Sequence, residues 1–441
     1  MANKTKELKF IDLFAGIGGI RKGFELACKA MGIKTKCVFT SEIKPFAIKV
    51  LQQNHPNEKI TGDITKVDEK TIPRFDYLLG GFPCQAFSAA GKRQGFADTR
   101  GTLFFDVERI IKEHKPKGFI LENVEGLVNH DRPKGSDSPI GNTLTIILGN
   151  LKALGYKVSW KVLNAKDFGV PQDRRRIYIV GTKKVAPNLE KFPIVKSKVE
   201  DILESGLECT KSKFVKLLLS HYTTSQLMGK SIKDKRGGKN NIHSWDIDYK
   251  GETTQEQKAF LSKLMTERRK HEWAKMWGID WMDGMPLSLK MIKTFWDKPN
   301  LRKMLRDLVA KKYLRYEPPK KKVQIKTENG RIATIREPDP SLGYGYNIVA
   351  GKMSFEVSKV LDPKKIAPTL VAMDMRHLFV VDKEGIRPLS LREGLGLFGY
   401  PKDYKFDVSI DEGYDLLGNT VVVPVIKAVA TRLLVANKER S

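Results

Sequence analysis

The feature that most constrains this chain is a rhythm running from residue 9 to about 185. Short apolar runs alternate there with amphipathic helical stretches. KFIDLF, CVFTSE, FDYLLGGF and GFILENV read as strands, with IRKGFELACKAMG and LFFDVERIIKEH as intervening helices. LTIILGNLKALG follows as a helix, and YKVSWKVLN and RRIYIVGT as two further strands. Strands separated by helices pair in parallel with helices on both faces, so the expected fold is α/β, a doubly wound sheet. Ligands of such sheets bind at the carboxyl ends of the strands.

Beyond residue 188 the rhythm is lost. Residues 189–370 are highly charged and helix-rich, and read as a smaller inserted domain. Residues 371–412 read as a return segment or hinge, and 413–441 as a strand or turn leading to a C-terminal helix that completes the first domain (1–188). Within the insertion, PLSLKMIKTFW and NLRKMLRDLVAKKYLRY read as two helices. KKKVQIKTENGRIATIRE then alternates as two strands around Asn329-Gly330, a hairpin signal. Helix, turn, helix and a two-stranded wing over 286–337 has the layout of a winged helix-turn-helix; a charged helical insertion that merely meets phosphates fits equally well. Between Leu301 and Arg336 stand 12 Lys/Arg and 3 Asp/Glu.

Charge narrows the partners. The 441 residues hold 79 Lys and Arg against 51 Asp and Glu, a net charge of +28. Such an excess favours a polyanion, because phosphate neutralisation releases counterions. Four cysteines, at 28, 37, 84 and 209, form no zinc-ligand spacing, and no metal is expected. Their scarcity fits a reducing cytoplasm. The apolar VVVPVIKAVATRLLVA is interrupted by Lys427 and Arg432, so no membrane span is expected.

The candidate chemistry clusters at the strand ends. DLFAGIGG sets Gly16, Gly18 and Gly19 in the turn from first strand to first helix, where backbone can approach a ligand. Glu42 ends the second strand, where a carboxylate can hold ribose hydroxyls. Asp63, in TGDIT, is a candidate acceptor for an adenine amino group. Singly, each acid reads as well as a helix cap. Together the three sites favour an adenosine-type cofactor without a pyrophosphate. Cys84 lies behind Pro83 in a glycine-rich loop, GGFPCQAFSAAGKRQGF, with Lys92 and Arg93 between Gly91 and Gly95 as a basic lid. A thiol in such a setting is placed to react, its thiolate favoured by basic neighbours. Glu122 closes the fourth strand and is a candidate acid or hydrogen-bond partner. Gln172, Arg174 and Arg176 precede a strand, and alternation sets Arg174 and Arg176 on one face.

DLFAGIGG, GFPCQAFS, ENV, QDRRR and LLGNTVVVPV, in this order, resemble the motif series of the cytosine-5 DNA methyltransferases of bacterial restriction-modification systems. The resemblance covers 9–185 and about 366–435, and implies a Rossmann-like S-adenosylmethionine-dependent methyltransferase sheet with an inserted target-recognition domain. It implies that Cys84 attacks cytosine C6, that Glu122 holds N3 and the amino group, and that Arg176 meets the O2 carbonyl while Arg174 positions it or a nearby phosphate. For S-adenosyl-L-methionine it assigns Phe14, Gly16 and Gly18 to the methionine end and Glu42 to the ribose. Ile43, Asp63, Ile64 and Leu103 fall to the adenine, with Asn419, Thr420 and Val421 closing the pocket. The target base must be flipped out of double-stranded DNA. Gln85, Ser88, Lys92, Arg93, Lys320, Lys321, Lys322 and Thr369 are the candidate DNA contacts. Ala90 stands where some relatives carry a hydroxyl. The expected protein is a cytoplasmic monomer, paired with a restriction endonuclease of the same sequence specificity. A tRNA cytosine-5 methyltransferase and an inactive DNA-binding protein on the same scaffold are the rival readings.

Overall fold

A computed structural model describes residues 7–82, 103–133, 135–235, 237–326, 332–349 and 355–438. The loop holding Pro83, Cys84, Gln85, Ser88, Ala90, Gly91, Lys92, Arg93 and Gly95, and the Asn329-Gly330 turn, lie outside these. The chain divides into two compact units. The first comprises residues up to Glu204, Asp362–Arg376 and the chain from Leu389 onward; the second comprises Ser205–Leu361 and His377–Pro388.

The first unit begins with β1 (Leu8–Leu13), α1 (Gly19–Ala30), β2 (Thr35–Ser41), α2 (Pro45–Asn54), β3 (Ile60–Thr61) and β4 (Tyr77–Gly80). There follow α3 (Phe104–His114), β5 (Gly118–Val124), α4 (Asn142–Ala153), β6 (Lys157–Asn164) and β7 (Arg175–Thr182). They build a seven-stranded sheet in the order β3-β2-β1-β4-β5-β7-β6. β1 pairs with β2 on one side and β4 on the other, so chain order reverses there and opens a crevice at the carboxyl ends. The expected doubly wound sheet is present, with one correction to its strand directions: β7 runs antiparallel to both β5 and β6. β6 and β7 are joined without a crossover helix, and a direct return can only reverse direction. The two-residue β3 at the edge was not anticipated.

The second unit carries α5 (Lys213–His221), α6 (Thr224–Leu227), β8 (Ser231–Ile232), β9 (Asn241–Ile242), α7 (Gln255–Glu267), α8 (His271–Trp277), α9 (Leu289–Lys293) and α10 (Leu301–Ala310). β10 (Leu314–Glu317), β11 (Lys320–Lys326), β12 (Ile332–Pro338), β13 (Gly345–Ile348) and β14 (Lys359–Val360) follow. The two helices and the hairpin read from the sequence are α9, α10 and β11–β12. A strand intervenes between them: β10 pairs with β13, and among the described residues β11 and β12 pair only with each other. One core gathers Trp245, Phe260, Trp273, Leu305 and Leu314.

The remaining elements alternate between units: α11 (Ala372–Met375) in the first, β15 (Leu378–Asp382) and β16 (Gly385–Pro388) in the second, then α12 (Leu391–Leu397), α13 (Ile410–Asn419) and α14 (Val423–Lys438) in the first. β16-β15-β14-β8-β9 form a five-stranded sheet of the second unit. The first unit therefore runs on through Glu204 rather than ending at 188, because 195–200 bond to its own backbone at Asp167, Gly169, Pro363 and Lys365. The segment before the last helix is itself helical: Ser409 accepts from Glu412 N while the Glu412 carboxylate accepts from Ser409 N, a reciprocal cap that starts α13. Ile410–Lys438 is long and apolar enough by composition to cross a membrane, but 61% of its most apolar window is buried, as in a core helix. α14 packs on α1 at Gly23, where a Cβ would come within 2.5 Å of Ile426 Cβ. Cys28 and Cys37 are buried beneath these layers, which pushes both thiols up to about 12.

Candidate active site

At the carboxyl ends of β1, β2, β4 and β5 lies a cavity of about 570 Å³. Phe14, Gly16 and Ile17 line it from the first turn, Ser41–Lys44 from the end of β2, and Asp63 and Ile64 from the edge. Gly81, Phe82 and Leu103 flank it, and Glu122, Asn123, Val124, Arg174 and Arg176 close the opposite end. Leu416, Gly418, Asn419 and Thr420 arrive from the end of α13. All the described candidates for cofactor and base therefore share one wall system, except Gly18 and Val421. Gly18 caps α1 at φ 72, facing Leu51 and Tyr404, and Val421 packs on Gly19.

The turn after β1 is held in an unusual backbone. Phe14 has φ 54 and Gly16 φ 54, and left-handed geometry costs a non-glycine residue about 1–2 kcal/mol. Glu42 secures it: one carboxylate oxygen accepts from Gly16 N at 2.6 Å, the other from Ile43 N and Lys44 N, both at 2.8 Å. A carboxylate offers about four acceptor positions, so Glu42 keeps capacity for a hydroxyl. Ile43 is 69% exposed, an apolar wall without a cover. Asp63 turns one oxygen to Thr65 Oγ1 (2.8 Å) and N (3.0 Å), which holds its carboxyl below the usual range; its other oxygen makes no hydrogen bond among the described residues.

Two residues outside the sequence reading shape this cavity. Arg109 on α3 donates to Ile64 O (2.6 Å) and Val67 O (2.8 Å), and pairs with Glu69 and Asp106, fixing the edge segment. Asn123 donates to Phe82 O (2.9 Å) and accepts from Val124 N, which ties β5 to the residue before the cysteine loop. Asn123 lies in the quoted ENV motif and was within reach of the sequence. Arg109 had no local signal for this role, since Ile64, Val67 and Glu69 lie 40 to 45 residues upstream.

At the opposite end Glu122 is 9% exposed and its carboxylate lies 3.3 Å from Arg176 Nε. Burial pushes the Glu122 carboxyl up, opposed by the Arg176 and Arg174 charges. Arg176 also donates to Arg175 O. Arg174, 3% exposed, is committed to backbone: to Leu370 O and Thr420 O, each at 2.9 Å, and to Gly418 O at 3.3 Å, with its guanidinium 5.2 Å from the Phe398 ring centre. Gln172 is also buried and tied to Leu397 O and Leu370 N. Thr369 donates to Asp173 O and lines a neighbouring hollow with Val124, Glu125, Arg175 and Arg176. In the second unit Lys321 pairs with Asp339 at 3.0 Å and Lys322 with Asp280 at 3.2 Å, while Lys320 is half-buried.

A family model described as C-5 cytosine-specific DNA methylase matches residues 8–434. The chain belongs to the C-5 cytosine-specific DNA methylase family. It is 60% identical to Type II methyltransferase M.NlaIV of Neisseria lactamica, over 97% of this chain and 99% of that relative. It is 39% identical to Type II methyltransferase M.BanI of Aneurinibacillus aneurinilyticus, over 98% and 96%. Among solved structures, the Entamoeba histolytica methyltransferase EhMeth shares the fold at TM-score 0.52 and 14% identity, covering 98% of this chain and 100% of that one. A putative DNA modification methyltransferase of an Escherichia coli prophage does so at 0.50 and 17%, with the same coverage. As a C-5 cytosine-specific DNA methylase the protein methylates C5 of cytosine in DNA, and the family implies S-adenosylmethionine as donor. The tRNA-methyltransferase and inactive readings give way to this one.

Proposed function

We propose that the protein is the methyltransferase of a type II restriction-modification system, acting on cytosine in a specific duplex sequence. The two-ended cavity carries the reading. Glu42 and Asp63 offer carboxylate acceptors at one end, and a buried Glu122 with Arg176 stands at the other. The fit for S-adenosyl-L-methionine rests on the open, Cβ-free side of Gly16, the remaining acceptor positions of Glu42 and the uncovered face of Ile43. Phe14 and Gly16 would hold its methionine end and Glu42 its ribose. Ile43, Asp63, Ile64 and Leu103 would hold the adenine, with Asn419 and Thr420 closing the cavity. Bound there, it supplies an electrophilic methyl group.

The protein's own work is on the ring. Cytosine C5 is a weak nucleophile, and addition of the Cys84 thiolate to C6 makes it enamine-like; once C5 carries the methyl group, loss of the C5 proton and of the thiolate from C6 restores the aromatic ring. Burial raises the Glu122 carboxyl, and in its protonated form it donates to N3 and accepts from the amino group, stabilising the charge that develops there. Arg176 meets the O2 carbonyl. Arg174 acts through Thr420 and Gly418, as a positioning residue. The flipped base costs a few kcal/mol of unstacking, offset by contacts from the cysteine loop. A cytoplasmic monomer, sharing its recognition sequence with an endonuclease, fits the near-full-length likeness to type II methyltransferases.

The test is methyl transfer from labelled S-adenosylmethionine to duplex DNA, with bisulfite sequencing to locate the product. One modified cytosine in one recurring sequence is expected, with Cys84→Ser inactive yet still binding the donor. Transfer to tRNA instead, or wild-type transfer by Cys84→Ser, would overturn the reading.

A further inference from the structure

In the second unit two exposed tyrosines stand beside a third that is half-buried. β10 and β13 set Tyr316 opposite Tyr346, on the face that carries Leu314 and Ile348 into the core. At the open end of this ladder the Tyr316 ring centre lies 4.8 Å from that of Tyr346 and 5.4 Å from that of Tyr344, the latter pair stacked at 30°. Tyr316 is 55% exposed and Tyr344 43%. The platform is rigid. Leu287 exchanges both backbone hydrogen bonds with Tyr346, at 2.8 and 2.9 Å, and Asp339 caps the turn that leads to Tyr344.

α10, which leads into β10, turns out Arg302 and Arg306, exposed and one turn apart. Burial pushes the Tyr346 hydroxyl up, and the Arg306 and Arg302 charges oppose that rise. Among the described residues, neither arginine and none of the three phenols has a hydrogen-bond or ion-pair partner. Other polar groups of this unit are engaged: Tyr313 donates to Gly251 O, Arg315 pairs with Glu317, and Lys321 and Lys322 pair with acids.

Clustered wet aromatic rings forgo burial, and two unpaired cations one turn apart repel, so the surface is costly unless a partner covers it. That partner must be anionic and must offer flat or apolar edges. Duplex DNA offers both, with phosphates for Arg and Tyr and base edges for aromatic contact. The unit's charge agrees, with 34 Lys and Arg against 19 Asp and Glu, net +15.

We propose that Tyr316, Tyr344 and Tyr346, with Arg302 and Arg306, form the surface that reads the DNA sequence around the target cytosine. This rests on the DNA-methylating function given above and adds the side chains that choose the site. Arg302 and Arg306 engage phosphates, and the pre-set rings meet the groove edge. The probe is a duplex oligonucleotide carrying the site mapped with the wild-type protein, together with duplexes altered at single flanking base pairs. Arg302→Ala/Arg306→Ala should raise the Kd for the mapped duplex at least tenfold and reduce the magnitude of its log–log salt slope by about 2. Tyr316→Ser/Tyr344→Ser should cut discrimination in kcat/KM between mapped and altered duplexes by about tenfold or more. Thermal midpoint and donor binding should hold in both, which separates the effect from misfolding. Unchanged discrimination, Kd and salt slope would overturn the proposal and leave the surface to a protein partner. A wild-type protein that modified no DNA would instead overturn the function.

Discussion

Replacing Arg174 by Ala should loosen the cavity wall without touching the chemistry directly. Its guanidinium bonds Leu370 O and Thr420 O at 2.9 Å, and Gly418 O at 3.3 Å. Hydrogen bonds from a charged donor contribute about 1.5–3 kcal/mol each, so the two short ones together amount to about 3–6. Burying the cation opposes this: desolvation first, and then the Arg176 charge, push Arg174 down to about 9. The net cost of truncation should therefore fall near the low end, about 3 kcal/mol. Because the carbonyls belong to segments around 370 and 418–420, the loss should appear there first. Hydrogen exchange read by mass spectrometry in peptides covering 366–376 and 413–425 should quicken about 100-fold, since each 1.4 kcal/mol is a factor of ten. Arg174→Met, which keeps the bulk, should quicken it nearly as much, because the carbonyls still lose their donor. Donor affinity should fall with it, as Asn419 and Thr420 line the cavity. Unchanged exchange in both peptides would refute the idea that Arg174 is a clamp.

Three further outcomes are expected. Burial raises the Glu122 carboxyl, so its protonated form persists above the ordinary carboxylate range and is lost as pH rises through the raised value. The alkaline decline of kcat/KM should therefore vanish in Glu122→Gln, with the plateau down about 10²–10⁴-fold; a surviving decline would assign it elsewhere. Glu42→Ala should weaken S-adenosylmethionine binding by about 1–3 kcal/mol in calorimetry, and an unchanged Kd would remove Glu42 from the site. Gly23→Ala, whose Cβ would meet Ile426 at 2.5 Å, should cost about 1–3 kcal/mol by denaturant unfolding, whereas a neutral result would mean α1 and α14 separate freely.

What the sequence disclosed follows the range of the forces involved. Strand and helix positions come from local periodicity, and the βα alternation gave the sheet. The direction of β7 escaped because it depends on how β6 turns back, which no apolar pattern records. The place of Glu122, Arg176, Glu42 and Asp63 on one cavity was legible because strand ends and turn acids have local signatures. Arg174 was legible as a cavity residue but not in its engagement, since its acceptors lie 196 to 246 residues onward. The βα rhythm stops at 188, which sets the first boundary legible in the sequence there. The chain nevertheless stays with the first unit to Glu204 through backbone bonds that periodicity cannot reveal.

With the second unit reading DNA as proposed, the crossing of the chain between units bears on how specificity changes over time. The second unit is not one continuous insert: β15 and β16, residues 378–388, complete a sheet begun by β8, β9 and β14. A recombination event exchanging only 205–361 for the equivalent stretch of a relative would leave those two strands facing a foreign neighbour. Register across β14–β15 would then have to match by chance. Heritable swaps of this unit should therefore travel as a longer cassette, ending past Pro388, and carry α11 of the catalytic unit along as a passenger.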